Sequence, residues 1–284
     1  MKSLSIILPA KNESAALAGL LPRIRQHCPD AELILVDDGS EDDTPMVAQA
    51  QGARVISHPY SMGNGAAVKT GARAALGDVL VFMDADGQHD PADIPRLLAR
   101  LEQGYDMVVG ARRHESQANW GRGLANRLYN RLASYMTNHR VEDLTSGFRA
   151  VSASKFRAFL YLLPNGFSYP TTITMALFRA GHAVAYEPIT AGPRIGKSHI
   201  RLLSDGVRFL LIIFRVGTLY SPLKLFFPLA ALHVLLGLGY YGYTFFTAHR
   251  LSLATLFLLT SAVTIFLIGL VSEQITQLIY KDSN

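Results

Sequence analysis

The residues with the clearest chemical potential are Asp84-Ala85-Asp86-Gly87-Gln88, directly after the apolar run 79–83. In an extended segment side chains i and i+2 point to one side, so Asp84 and Asp86 are expected to face one point, with Gln88 next on that side. Two adjacent carboxylates repel unless a cation or a proton neutralises them. Hard oxygen ligands at the mouth of a sheet suit Mg²⁺ or Mn²⁺ shared with a substrate's phosphates. The same residues also suit a polar turn, with Asp-Gly as turn chemistry. Other polar groups follow apolar runs in the same way: Asn12 and Glu13 after 4–8, Asp37 and Asp38 after 32–36. A carboxylate at Asp37 or Asp38 could accept hydrogen bonds from a nucleobase or ribose; alternation sends one inward and one away without saying which. Gly110-Ala111-Arg112-Arg113 reads as a basic turn near the metal, and Pro193-Arg194-Ile195-Gly196-Lys197-Ser198-His199 as a flexible basic segment.

Apolar runs and polar turns alternate in the stretch that must position these groups. The patterning predicts strands at 4–8, 32–36, 54–57, 78–83 and 106–109, and helices at 14–26, 44–51, 63–75, 91–103 and 120–140. A helix of about ten residues from 171 to 180 and a strand ending near 187 follow. Strand–helix alternation implies an α/β fold with a mostly parallel, doubly wound sheet. Ligands then bind outside the carboxyl ends of the strands, where the carboxylates fall. Residues 141–149 are too polar for a core strand and too apolar for a free loop. Gly63-Asn64-Gly65-Ala66-Ala67-Val68-Lys69-Thr70 is neither a Walker A loop nor G-x-G-x-x-G, since Val68 stands where each requires glycine. Its glycines are expected to let the helix start approach a nucleotide, or to form a plain loop. His58, His89, His114 and His139 lack ligand spacing and read as surface or loop residues.

The chain has 284 residues, a net charge of +5 and one cysteine, Cys28, which excludes an internal disulfide. After Pro222 its character changes. Residues 225–247 and 251–272 contain no Asp, Glu, Lys or Arg, and only Ala248-His249-Arg250 separates them. Each can cross a hydrocarbon core of ~30 Å, so the pair reads as a transmembrane hairpin. His233, within the first span, reads as a structural residue. Residues 200–221, where arginines alternate with apolar residues, read as an amphipathic interfacial helix. The domains are therefore expected at 1–199, 200–221 and 222–284. The first apolar run is too short for a signal peptide, and Arg201, Arg208, Arg215, Lys224 and Lys281 flank the hairpin. Positive-inside bias then puts the large N-terminal region in the cytosol. The basic residues near the membrane suit anionic lipid rather than nucleic acid, and a homo-oligomer is compatible with the pattern.

Five motifs, in order, resemble glycosyltransferase family 2: Pro9-Ala10-Lys11-Asn12-Glu13, Val36-Asp37-Asp38-Gly39-Ser40, Asp84-Ala85-Asp86-Gly87-Gln88, Asp143-Leu144-Thr145-Ser146-Gly147-Phe148-Arg149 and Arg194-Ile195-Gly196-Lys197-Ser198. The likeness is to its dolichol-phosphate mannose synthase-like branch, the polyprenyl-phosphate sugar synthases. It covers roughly residues 3–220, and a C-terminal hairpin recurs in some members. The resemblance implies a GT-A fold, a nucleotide-sugar donor, Mg²⁺ or Mn²⁺, a polyprenyl phosphate acceptor and a bacterial inner-membrane location. It implies that Pro9, Glu13, Val36 and Asp38 hold the nucleoside, with Ala10, Asn12, Asp37 and Ala85 in the same donor site. It assigns Asp84, Asp86 and Gln88 to the metal and diphosphate. Arg194 and Lys197 would close over the donor. Many members end that loop Gly-x-Ser-Lys; here Gly196-Lys197-Ser198-His199 leaves either Lys197 or His199 for the diphosphate. Arg112, Arg113 and Arg122, with Ser146, fall near the acceptor phosphate.

On this reading Asp86, Asp143, Arg194 and Lys197 carry an inverting sugar transfer. Asp143 is either a general base, a group that orders the acceptor arginines, or a loop cap. A phosphate acceptor is already an anion and has no evident need of a base. A hydroxyl acceptor, on a glycerolipid or glycan, would need one. The Q-x-x-R-W motif of processive members is absent around Trp120, the only tryptophan. A non-catalytic nucleotide-sugar-binding partner is the remaining reading, disfavoured by the complete Asp84, Asp86 and Gln88 set.

Overall fold

The computed structural model describes residues 2–112, 120–166, 168–192 and 217–280. Cα packing divides the chain into two units, residues 1–202 and 203–284.

The first unit is built on β1 (Leu4–Ala10), β2 (Glu32–Asp37), β3 (Arg54–Ser57), β4 (Val79–Phe82), β5 (Met107–Arg112), β6 (Arg149–Ser152) and β7 (Val184–Ile189). They form one sheet in the order β3-β2-β1-β4-β6-β5-β7. All pairings are parallel except those of β6, which runs antiparallel to both β4 and β5. Between the strands lie α1 (Ser14–His27), α2 (Thr44–Ala50), α3 (Asn64–Ala74), α4 (Ile94–Glu102), α5 (Trp120–Thr137), α6 (Ala153–Ala158) and α7 (Tyr169–Arg179).

Leu33, Ile34, Leu35 and Val36 are all at most 1% exposed, as expected of a parallel strand covered on both faces. Alternation sorts the two layers. Ile6, Leu8 and Ala10 pack with Leu17, Leu21 and Ile24 of α1 and with Ile94 and Leu97 of α4. Ile7 and Val36 face the other way, toward Gly71 of α3, where an added methyl would lie 2.4 Å from Ile7 Cγ2. Phe82 of β4 meets Phe156 of α6 with ring centroids 4.5 Å apart.

The mostly parallel sheet is as expected, with four local differences. Strands β1 and β2 run one or two residues further than the apolar runs suggested, to Ala10 and Asp37. Strand β5 extends to Arg112, so residues 110–112 are strand rather than a basic turn. Strand β4 ends at Phe82, before the carboxylates begin. Residues 141–149 resolve into a strap, Asp143 to Phe148, followed by β6.

The second unit is a helical hairpin, α8 (Pro222–Ala248) and α9 (Leu253–Tyr280). The first helix contains the expected span 225–247; the second begins at Leu253, two residues inside the expected 251–272, and runs past its end. Both are long and apolar enough to cross a membrane. Gly237 packs against Leu259 and Gly269 against Phe226, as small residues allow between membrane helices. Outward-facing side chains stay exposed, among them Leu235 (68%), Phe246 (81%) and Leu253 (85%); such a surface suits lipid rather than water. Most of the expected interfacial helix at 200–221 lies outside the described residues.

Candidate active site

The loops at the carboxyl ends of β1, β2 and β4 converge where strand order reverses, between β1 and β4. Asn12, in the left-handed region at φ +56°, ties the first two loops together. Its N–H donates to Ser40 Oγ at 2.9 Å, and its Oδ1 accepts the Glu41 N–H at 2.8 Å. Pro9 and Ala10 are buried strand residues, and the Ala10 carbonyl accepts the Asp38 N–H at 2.8 Å. The Glu13 N–H donates to Thr44 Oγ1 at 2.9 Å. Val36 is fully buried, facing α3, and the Ala85 side chain belongs to the core. Asp37 Oδ1 accepts the Ser40 N–H at 3.0 Å.

Asp38 is fully bonded within its own chain. One of its oxygens accepts from His58 Nδ1 (2.8 Å) and the Met62 N–H (2.7 Å); the other accepts from Ser61 Oγ (2.8 Å) and the Gly63 N–H (2.9 Å). Four bonds fill the acceptor capacity of a carboxylate. Burial pushes its pKa up, but the bonds from His58, Met62, Ser61 and Gly63 hold it below the ordinary carboxylate value. Gly39, at φ +71°, admits this loop: an added methyl would lie 2.9 Å from the Ser61 nitrogen. His58, expected as a surface or loop residue, lies in a loop with its side chain buried and bridges Asp38 to Thr70 Oγ1 at 2.9 Å. The glycines at the start of α3 serve the protein's own backbone. An added methyl at Gly65 would lie 2.1 Å from the Pro164 carbonyl oxygen, and the Asn165 carbonyl accepts the Ala66 N–H at 3.1 Å.

Asp84 and Asp86 stand beyond the end of β4, with residues 85 and 86 in a turn, so strand alternation does not set their direction. Both lie close enough to His89 to favour its charged form, while burial, the larger effect, lowers its pKa. His89, expected as a surface or loop residue, is a loop residue but 5% exposed; it stacks on Phe148 at 5.1 Å and leaves Nδ1 buried without a partner among the described residues. An Asp86 oxygen accepts the Gln88 N–H at 3.1 Å, and the Gln88 amide nitrogen donates to the Gly192 carbonyl at 3.4 Å. Asp84 accepts no hydrogen bond from the described residues. It rests against the bare Cα of Gly147, where an added methyl would lie 2.8 Å from Oδ2. No third His, Cys, Asp or Glu joins the pair among the described residues. Two carboxylates and an amide oxygen fit a hard divalent cation that completes its shell with substrate phosphates.

The Asp143–Phe148 strap closes the other side. Arg112 clamps Asp143 through Nε to Oδ2 at 2.8 Å and Nη2 to Oδ1 at 3.0 Å, and its backbone N–H adds a third bond at 3.2 Å. Thr145 and Ser146 N–H groups both donate to Asp143 Oδ1 at 3.1 Å, a local turn cap. Burial pushes Asp143 up, but Arg112 holds its pKa below the ordinary value. Ser146 is 1% exposed, with its hydroxyl buried and unpartnered. Arg113, Arg194, Lys197 and His199 lie outside the described residues, as does the Arg122 side chain. One buried cation went unread in the sequence. Arg149 is 0% exposed and, among the described residues, donates only to neutral acceptors: the Pro170 carbonyl (3.1 Å), Thr174 Oγ1 (3.2 Å), the Ser146 carbonyl and Met107 Sδ (3.9 Å).

Residues 5–160 match the family model described as glycosyl transferase family 2. The chain belongs to that family. Residues 221–278 match a second model, the GtrB C-terminal hairpin. An undecaprenyl-phosphate 4-deoxy-4-formamido-L-arabinose transferase of Edwardsiella ictaluri is 35% identical over 167 residues, 55% of this chain and 51% of the relative. Its counterpart in Proteus mirabilis is 34% identical over 160 residues, 53% of this chain and 49% of the relative. The chain thus spans about half the length of the curated relatives it matches. Among solved structures, glucosyl-3-phosphoglycerate synthase from Mycobacterium tuberculosis, with Mn²⁺, uridine-diphosphate and phosphoglyceric acid, aligns with a TM-score of 0.62 and 26% identity. That alignment covers 76% of this chain and 78% of that one. The family 2 domain is therefore GT-A-like, as the motifs implied.

Proposed function

We propose that this family 2 glycosyltransferase moves a sugar from a nucleoside-diphosphate sugar to a polyprenyl monophosphate at a membrane surface, with inversion. An acceptor phosphate oxygen bonds to the anomeric carbon as the bond to the diphosphate oxygen breaks. The observation that carries this reading is the Arg112–Asp143 clamp. Asp143, the motif's candidate base, is bonded twice to a guanidinium and held below the ordinary carboxylate range. It is a poor proton acceptor near neutral pH. Such a site suits an acceptor that is already an anion, and disfavours a hydroxyl. Arg112, oriented by Asp143 and Thr145 and only partly buried, is the acceptor-side cation.

Asp84 and Asp86, with the Gln88 amide oxygen, would hold Mg²⁺ or Mn²⁺, which when bound offsets charge on the departing diphosphate. The relatives' names support the undecaprenyl-phosphate acceptor class, and the Mn²⁺ and uridine-diphosphate of the M. tuberculosis enzyme support the donor class. The hairpin, with Lys224 and Lys281 on one side of both spans, supports an integral membrane protein whose catalytic domain is cytosolic, in a bacterial inner membrane.

The test is a transfer assay with full-length protein, polyprenyl phosphate, a panel of nucleotide sugars and Mg²⁺ or Mn²⁺. A mild-acid-labile lipid-linked sugar, lost with chelator and in Asp86→Asn, is expected. Nucleotide binding without transfer to polyprenyl phosphate, but with transfer to a hydroxyl-bearing lipid, would overturn the acceptor assignment.

A further inference from the structure

The Asp143–Phe148 strap is held from two sides by groups that the transfer chemistry does not use. The Ser146–Gly147 peptide offers its carbonyl to the Arg149 guanidinium, and the next carbonyl, of Gly147, accepts the Tyr169 hydroxyl at 3.4 Å. Arg149 lies over the Tyr169 ring, 5.8 Å from its centroid. Both are fully buried, and α7 supplies the other anchors, the Pro170 carbonyl and Thr174 Oγ1. Between the two tethered carbonyls stands the Cα of Gly147, the surface against which Asp84 rests. Arg149 has no carboxylate partner within ion-pair distance among the described residues, and its Nε is buried without an acceptor. A fully buried guanidinium with neutral partners is costly, and hydrophobic residues pack such positions well. That cost points to a task other than stability.

We propose that Arg149 and Tyr169 are positioning residues that fix the Gly147 backbone as a wall, so that Asp84 is aimed before the divalent cation arrives. The proposal rests on the reading of Asp84 and Asp86 as the metal carboxylates. Arg149 and Tyr169 stand one step behind the ligand, where supporting groups commonly govern metal affinity.

The test titrates Mn²⁺ by electron paramagnetic resonance against the detergent-solubilised full chain, alone and with UDP or GDP, beside thermal melts of each protein. Arg149→Met, which removes the donors and the charge, is expected to weaken Mn²⁺ binding about tenfold. Its melting temperature should stay close to that of the native chain or rise. Tyr169→Phe should weaken binding about twofold to threefold, in keeping with one long hydrogen bond. Gly147→Ala leaves both tethers intact but pushes a methyl into Asp84, and should weaken Mn²⁺ binding at least as much as Arg149→Met. A folded Arg149→Met protein with native Mn²⁺ affinity overturns the proposal. Should that variant fail to fold, Gly147→Ala decides, and native affinity there overturns it equally. A native chain whose Mn²⁺ binding is absent, or survives Asp84→Asn, instead overturns the metal reading beneath it.

Discussion

Asp38 and Asp84 both follow the carboxyl end of a parallel strand, yet the protein treats them in opposite ways. Asp38 is filled by four donors of its own chain, all from residues 58–63. Asp84 takes none from the described residues and rests against the bare Cα of a glycine, with His89, Arg112 and Arg149 near enough to feel its charge. A satisfied carboxylate builds a wall; one without protein donors is left to attract a cation. Asp143 belongs with Asp38, since Arg112, Thr145 and Ser146 occupy it. Motif membership alone therefore does not say which acids touch substrate. We propose that the donors around each one do.

The sharpest way to break this division is to neutralise each acid in turn. Asp84→Asn or Asp86→Asn should lower transfer by about a hundredfold or more, the scale of losing one preorganised charge at a reacting centre. Their melting temperatures should hold or rise, because like-charge repulsion is relieved. Asp38→Asn should do the reverse in kind. Its NH2 would confront one backbone N–H donor, of Met62 or Gly63, costing about 1–3 kcal/mol of stability in a denaturant melt. Residual transfer in the folded fraction should keep the native preference among nucleotide bases. A variant that melts normally but switches base preference would show Asp38 to be a direct nucleoside contact.

The middle case is Asp143→Asn. If Asp143 orients Arg112, the acceptor KM rises by about tenfold, the loss of one charge-assisted pair, while kcat falls less. A collapse of kcat at unchanged KM would restore the general-base reading and with it a hydroxyl acceptor. The smallest effect concerns pH. Asp38 is held below its unfolded-state pKa, so its stabilisation is complete above about pH 4 and is lost as pH falls through the lower folded value. The stability gap between native chain and Asp38→Asn should accordingly narrow in acid, measured by urea melts at stepped pH.

Much of the first half of the sheet was legible from apolar runs, because β1, β2 and β4 are continuous and buried. Strand β6 was not, since Arg149-Ala150-Val151-Ser152 is four residues long and opens on an arginine that normally signals solvent. Arg112 was read as turn because Gly110 precedes it; parallel pairing with β7 carries the strand through to Ile189. His58 and His89 gave no periodic signal, for their placement is set by contacts distant in sequence, with Asp38 and Thr70 for His58 and with Phe148 for His89. The chemical identity of the Asp84–Asp86 pair was legible, but its geometry was inferred from an extended segment that stops at Phe82. No sequence pattern distinguishes a filled acid from one left open, because the donors to Asp38 come from residues 20 to 25 positions away and Asp143, beyond its own turn, is filled by Arg112, 31 positions away.

The most direct test of that division is Mn²⁺ binding with nucleoside diphosphate present, compared across the native chain, Asp84→Asn, Asp38→Asn and Asp143→Asn, each shown to be folded. The account predicts that Asp84→Asn alone among the three variants abolishes the metal signal, with Asp38→Asn and Asp143→Asn retaining Mn²⁺ once nucleotide saturates. Equal loss in all three, or full retention in Asp84→Asn, would contradict it.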